Sequence, residues 1–140
     1  MATEFTGETF VGTPTNSLLE TLDIEVTLAT PEEVRATMPV TSKVHQPYGI
    51  LHGGASVVLA ETVASIGASV SVDLGKQRAV GLEINANHLR AKRDGILEAV
   101  AKPLHKGRTT QLWQIEIRGE DGKLVCVSRC TMAVIEVESR

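Results

Sequence analysis

Aromatic residues are scarce in this chain of 140 residues: Phe, Trp and Tyr make up 3% of it, as Phe5, Phe10, Tyr48 and Trp113. That is too few rings for a stacking surface, and a net charge of -3 gives no overall pull toward phosphate backbones, so nucleic acid is not expected as a partner. Cysteine is nearly absent as well. Cys126 and Cys130 stand four apart in a segment that reads as strand, on one face and about 13 Å from each other, too far for a disulfide. Both are expected to be reduced core thiols. His45, His52, His88 and His105 lack the His/Cys spacing of a metal site, and no metal is expected. The first residues carry Glu4 and Glu8 and no basic start followed by an apolar run, which argues against a signal or transit peptide and for the cytoplasm. Without repeats, low-complexity tracts or a Gly/Ser/Pro-rich linker, the chain reads as a single domain, 1–140, with 1–16 loosely ordered.

What is present is a hydrophobic fraction of 42% with 22% charged residues, enough to bury a core. From Gly49 to Val72 the only formally charged side chain is Glu61. Within that run Leu59, Val63, Ile66 and Val70 recur at helical spacing, which predicts one long helix from about Gly54 to Asp73, ended near Gly75. Ser56, Glu61, Thr62, Ser65, Ser69 and Ser71 interrupt the run and argue against a membrane span. The rest reads as strand. Ile24, Val26 and Leu28 alternate with polar neighbours, a turn follows at Thr30 to Glu33, and Val34, Ala36, Met38 and Val40 alternate again. Strands are then expected at Val80–His88, Ile96–Leu104, Thr109–Arg118 and Leu124–Ile135, with Asp121-Gly122 turning the last hairpin. These links are too short for crossover helices, so the sheet should be mainly antiparallel. One apolar helix and about six strands make a two-layer α+β domain, with the helix along the concave face of a curved sheet. So small a core layer also suggests self-association.

Glu61 needs an explanation, because a carboxylate in an otherwise uncharged helix loses water unless it is paired or solvated. At 100° per residue it shares a face with Gly54, Val57, Val58, Ser65, Ala68 and Val72, away from the stripe that packs on the sheet. Ser65, one turn on, is within reach of a hydrogen bond to it. A plain solvent-facing carboxylate is the alternative. Upstream, Gln46-Pro47-Tyr48-Gly49-Ile50-Leu51-His52-Gly53-Gly54 runs from a loop into the helix start. Two successive glycines there leave bare N–H groups at the positive end of the helix dipole, suited to an oxygen that becomes negative. They can equally be turn residues, His52 a capping residue and Gln46 a solvated one. Glu61 lies eight residues beyond Gly53, about 12 Å along the axis, a gap no side chain closes to attack distance. If both act on one carbonyl, they come from different subunits, and a homodimer is required.

Charge is also uneven. Between Arg90 and Arg108, six basic residues (Arg90, Lys92, Arg93, Lys102, Lys106, Arg108) face only Asp94 and Glu98, a local excess of +4. This suits either a guarded sheet edge or a clamp for a polyanionic small molecule, with His105-Lys106-Gly107-Arg108-Thr109 as its loop.

The segment Gln46 to Glu61 resembles the hotdog-fold acyl-CoA thioesterases of the phenylacetate and 4-hydroxybenzoyl-CoA type. Val80 to His88, Lys102 to His105 and Trp113 to Ile117 resemble, within that family, the branch acting on 1,4-dihydroxy-2-naphthoyl-CoA in menaquinone synthesis and its enterobactin-pathway proofreading relatives. The likeness spans about Leu18 to Glu136. It implies a hotdog fold and hydrolysis of an aromatic acyl-CoA with no cofactor, coenzyme A being part of the substrate. It also implies a homotetramer arranged as a dimer of dimers. By the resemblance, Glu61 is nucleophile or general base, the Gly53 amide polarises the thioester carbonyl, Gln46 and His52 assist, and Ser65 helps place the water. His88 approaches the acyl ring, while Arg90 and the loop of His105, Lys106, Gly107, Arg108 and Thr109 bind the nucleotide. Two departures touch the coenzyme A contacts: Lys106 where an uncharged residue is expected, and a longer turn before Val80. The alternatives are a proofreading thioesterase acting on carrier-bound acyl groups and a noncatalytic acyl-CoA binding module. Dehydration of hydroxyacyl thioesters fits less well, since the fold's dehydratases pair histidine and acid in another pattern.

Overall fold

The alternating apolar residues of the first hairpin become two strands because only one of their faces is buried. Val34, Ala36 and Met38 are fully enclosed, and the residues between them are half-open. The computed structural model describes residues 10–137. In chain order it contains a short helix α1 (Leu18–Thr21), β1 (Glu25–Ala29), β2 (Val34–Pro39), a single 3-10 turn (Ser42–Val44), the long helix α2 (Gly53–Val70), β3 (Gln77–His88), β4 (Ile96–Lys106), β5 (Thr110–Arg118) and β6 (Leu124–Glu136). The six strands form one sheet in the order β1-β2-β4-β5-β6-β3, every neighbouring pair antiparallel. α2 packs against all six strands, and its Leu59, Val63 and Ala64 belong to one buried core with Met38, Trp113 and Ile115. This is the hotdog architecture.

Several boundaries differ from those read in the sequence. α2 stops at Val70 because Ser71 turns back on it, its N–H donating to Ala68 O at 3.2 Å and its hydroxyl to Gly67 O at 2.7 Å. Ala68, expected beside Glu61, is fully buried. Of the expected loose segment 1–16, residues 1–9 lie outside the described residues, but the rest is fastened to β1. Gly12 exchanges two backbone hydrogen bonds of 2.8 Å with Val26, and Thr13 Oγ1 donates to Ile24 O at 2.8 Å. β4 continues through His105 and Lys106, so the loop expected from His105 begins only at Gly107.

Both cysteines are buried free thiols. Burial, with the negative charges of Glu61 and Glu83 nearby, pushes the Cys130 thiol up to about 11, and burial raises Cys126 as well. Gly53–Val70 is long and apolar enough to cross a membrane by length and composition, yet here it is the core helix of the sheet.

Candidate active site

The loop ahead of α2 is held tightly by backbone hydrogen bonds. Gln46 N–H donates to Ile50 O (2.8 Å), Gly49 N–H to Gln46 O (2.9 Å), Leu51 N–H to Lys92 O (2.7 Å) and His52 N–H to Val44 O (2.8 Å). Gly49 has φ of +78°, which the tight turn requires. The Gln46 side-chain carbonyl accepts from Tyr48 N–H, so its NH₂ group remains as the donor. His52 caps the helix. Its Nδ1 accepts from Gly54 N–H at 2.8 Å, which leaves the ring proton on Nε2.

Of the two amides that the glycine pair was expected to leave bare, only one is free: Gly54 is taken by His52, while the Gly53 N–H has no partner among the described residues. The glycines serve a second purpose. A Cβ on Gly53 would lie 2.8 Å from His88 Nε2, and one on Gly54 would lie 2.9 Å from the His52 ring. Each glycine makes room for an imidazole. Gly53→Ala is therefore expected to push His88 out of the cleft and lower kcat by ~10²-fold, since small misplacements at a site cost that much. A thiol-release assay beside a circular dichroism spectrum separates this from misfolding.

Gln46, Gly53, Ser56, His88 and Arg90 line one cleft of about 400 Å³, so the structure brings together four of the predicted residues. Glu61 and Ser65 lie elsewhere. They line an apolar groove of about 450 Å³ between the Phe10–Leu19 segment and α2, with Val57, Val58 and Ile66. Glu61 is exposed, and its carboxylate has no hydrogen bond or ion pair among the described residues. Its Oε1 stands 3.4 Å from where a Cβ on Gly81 of β3 would be. Ser65 does not bond it as expected; the hydroxyl's polar neighbour is Met132 Sδ at 4.0 Å.

The predicted nucleotide clamp is also split. Arg90 is at the His88 end of the sheet, while Thr110 pairs with Ala133 and Ala133 with Val80, which puts residues 107–109 level with the Glu61 end. Arg108 and Thr109 are exposed there, and the His105 ring lies against Gly107. Lys106 is engaged elsewhere: its ammonium donates to Pro31 O and sits 5.6 Å over the Trp113 ring, fastening β4 to the β1–β2 turn. Around Arg90 the sequence reading missed one further cation, Lys123, which joins Lys92 there. The backbone N–H of Lys123 holds the Asp121 carboxyl below its ordinary range, and Lys123, Lys92 and Arg90 add positive charge in support. The groove residues Leu18 and Leu19 were missed too, because a four-residue helix carries no periodic signal, and so was Phe10, which lies upstream of that helix.

A hotdog sheet, an apolar groove ending in a carboxylate, and an amide at a helix start, neither group partnered among the described residues, make a layout suited to thioester hydrolysis. The signature of the thioesterase superfamily matches residues 48–126, and the chain belongs to that superfamily. Over 114 residues it is 51% identical to the 1,4-dihydroxy-2-naphthoyl-CoA hydrolase of Escherichia coli, covering 81% of this chain and 83% of that one. Over 135 residues it is 44% identical to the proofreading thioesterase EntH of Cronobacter turicensis, covering 96% and 95%. A solved thioesterase from Haemophilus influenzae superposes with a TM-score of 0.87 at 46% identity, over 96% of this chain and 93% of that one. Two structures of one Staphylococcus aureus protein have TM-scores of 0.84 and 0.82 at 40% and 41% identity. They cover 86% and 84% of this chain and 100% and 97% of theirs. One carries alanine for a glutamate and the other for a glutamine fifteen positions earlier, the separation between Gln46 and Glu61 here.

Proposed function

We propose that this thioesterase hydrolyses an aromatic acyl-CoA, 1,4-dihydroxy-2-naphthoyl-CoA or a similar aryl-CoA, in two sites that two copies of the chain build together. The observation that carries this reading is the placement of the free carboxylate and the free amide against different stretches of one edge strand. Glu61 lies beside Gly81 and Gly53 beside His88, seven residues or about 23 Å apart along β3. Among the described residues β3 pairs only with β6, so its other backbone edge is open, and Val80 and Leu82 on the strand are exposed. Antiparallel pairing of two β3 strands about the point between Ile84 and Asn85 sets Gly81 of one copy opposite His88 of the other. Glu61 then meets its partner's helix start, and the loop of residues 107–109 comes to the partner's Arg90 end. Two such dimers joined as a homotetramer in the cytoplasm complete the reading.

In each site the thioester carbonyl oxygen accepts from the Gly53 N–H at the positive end of α2, which stabilises the charge that grows as the carbon becomes tetrahedral. Glu61 then attacks the carbonyl carbon, expelling the coenzyme A thiolate and leaving an anhydride that water cleaves, or takes a proton from the water that attacks directly. Both routes end in free acid and free thiol, and both need a carboxylate whose lone pairs are uncommitted, as those of Glu61 are. Gln46 adds a neutral donor, and His52 holds the helix start in shape. A thioester is reactive enough for this set to work without metal or cofactor.

The 44% identity to EntH over nearly the whole chain favours a second reading, in which the acyl group is carried by a protein-bound pantetheine. A panel of 1,4-dihydroxy-2-naphthoyl-, benzoyl-, phenylacetyl- and palmitoyl-CoA with one aryl-loaded carrier protein, followed by thiol trapping, tests both. The aryl-CoAs are expected to exceed palmitoyl-CoA in kcat/KM by at least ~10-fold, the size of effect that pocket contacts produce. A preference for the fatty chain overturns the aryl assignment, and a preference for the carrier replaces coenzyme A with the second reading.

A further inference from the structure

Among the described residues one buried side-chain group has no hydrogen-bond partner, the hydroxyl of Ser56. Ser56 is 0% exposed and stands on α2 three residues after Gly53, at the inner wall of the cleft that Gly53, Gln46 and His88 line. The usual outlet for a helical serine, the carbonyl four residues back, belongs to His52, and Ser56 Oγ does not bond it; that carbonyl takes the Ala55 N–H at 3.0 Å. An orphaned hydroxyl in a protein interior is a standing cost to the fold, and one beside a ligand cleft has an evident means of relief when the ligand arrives.

Direction supports this. Side chains on a helix lean toward its N-terminus, so the Ser56 hydroxyl lies over the first turn of α2. Ser56 lines the same cleft as Gly53, whose N–H has no partner among the described residues, and its hydroxyl has three staggered χ1 positions open to it. The neighbouring amide that would otherwise be a further donor, that of Gly54, is occupied by His52 at 2.8 Å. Resting on the shared-site reading above, we propose that the Ser56 hydroxyl is a further donor to the thioester carbonyl oxygen, beside the Gly53 amide and in addition to the Gln46 side chain. It keeps its proton throughout: the hydrogen bond shortens as the oxygen becomes negative, and it relaxes when the thiolate leaves and the carbonyl reforms.

The test compares Ser56→Ala and Glu61→Ala with the parent enzyme in thiol release, melting temperature and the infrared carbonyl band of a bound analogue. In that analogue a methylene separates a ¹³C-labelled carbonyl from the sulfur of coenzyme A, so it is not cleaved. For Ser56→Ala the expected result is a ~10²-fold loss of kcat, the effect of removing one oxyanion donor. KM should stay within about twofold, since the donor acts mainly in the transition state. The melting temperature is not lowered, and the carbonyl band moves back toward its free position. The band distinguishes a donor from a residue that merely fills space or holds a trapped water. Turnover within about threefold of the parent, or a kcat loss with an unmoved band, overturns the proposal. Glu61→Ala reports separately: if it is inactive while Ser56→Ala is normal, only the Ser56 donor is withdrawn. If Glu61→Ala retains turnover, the shared-site reading itself fails.

Discussion

Glu61→Ala is expected to abolish nearly all hydrolysis, lowering kcat by ~10³-fold or more, within the range that a single acid–base or nucleophilic group contributes. The side chain is exposed and makes no hydrogen bond or ion pair among the described residues. Its removal should change stability by no more than about 0.5 kcal/mol, as for other surface sites, so an unchanged unfolding transition is part of the expectation. Glu61→Gln keeps the shape and loses the charge, and should be as inactive. Mixing extends the test to the assembly. If Glu61 and Gly53 of one site come from different copies, co-expressing Glu61→Ala with Gly53→Ala chains gives mixed dimers holding one intact site and one doubly damaged site. Random pairing then restores about a quarter of parental turnover from two nearly inactive proteins, because half of the dimers are mixed and half of their sites are whole. A mixture no more active than its parts would place both groups within one copy, against the 12 Å that a continuous helix puts between them.

How much of this could be read from residues alone depended on whether the signal was local. The long helix and the strands declared themselves through period, since Leu59, Val63 and Ile66 on α2 and the alternating run from Val34 to Met38 need only neighbours in sequence. The helix end was misjudged by three residues because Ser71 competes for backbone carbonyls, a contest that hydropathy does not register. The two groups on which the proposed site rests were legible because each hangs on one segment: Gly53 at a helix start, and Glu61 eight residues on in an uncharged run. What joins groups distant in sequence was not. Nothing near Lys106 announces that its ammonium reaches Pro31 O and the Trp113 ring. Nothing near Gly53 announces that His88, thirty-five residues later, brings the Nε2 corner of its ring against it. Ser56 was legible only as one polar residue among several interrupting the helix, since an unpartnered hydroxyl is a property of its surroundings.

Gly67→Ala is expected to be the most damaging single methyl in the core. A glycine inside a helix is ordinarily a weakness, and alanine there gains about 1 kcal/mol from backbone propensity. At Gly67 that gain meets the indole of Trp113: a Cβ would fall 2.5, 2.6 and 2.8 Å from three of its ring carbons, distances that real side chains do not show. The ring has little room to withdraw. It is 0% exposed, its Nε1 donates to Gln111 Oε1 at 2.9 Å, and the Lys106 ammonium lies over its face. Either the helix lifts from the sheet or the tryptophan leaves its place, and overpacking of this kind costs 1 to 3 kcal/mol and occasionally more. With a cost at the upper end of that range, about 3 kcal/mol, set against the gain of about 1, the net effect should be a loss of about 2 kcal/mol and a melting temperature lower by roughly 6 °C. Trp113→Phe alone should also destabilise, by opening a cavity. The double variant discriminates: a smaller ring relieves the clash, so the two losses should fall short of additivity by at least about 1 kcal/mol. Simple additivity, or a Gly67→Ala protein as stable as its parent, would mean that α2 does not ride on the tryptophan as closely as the structure has it.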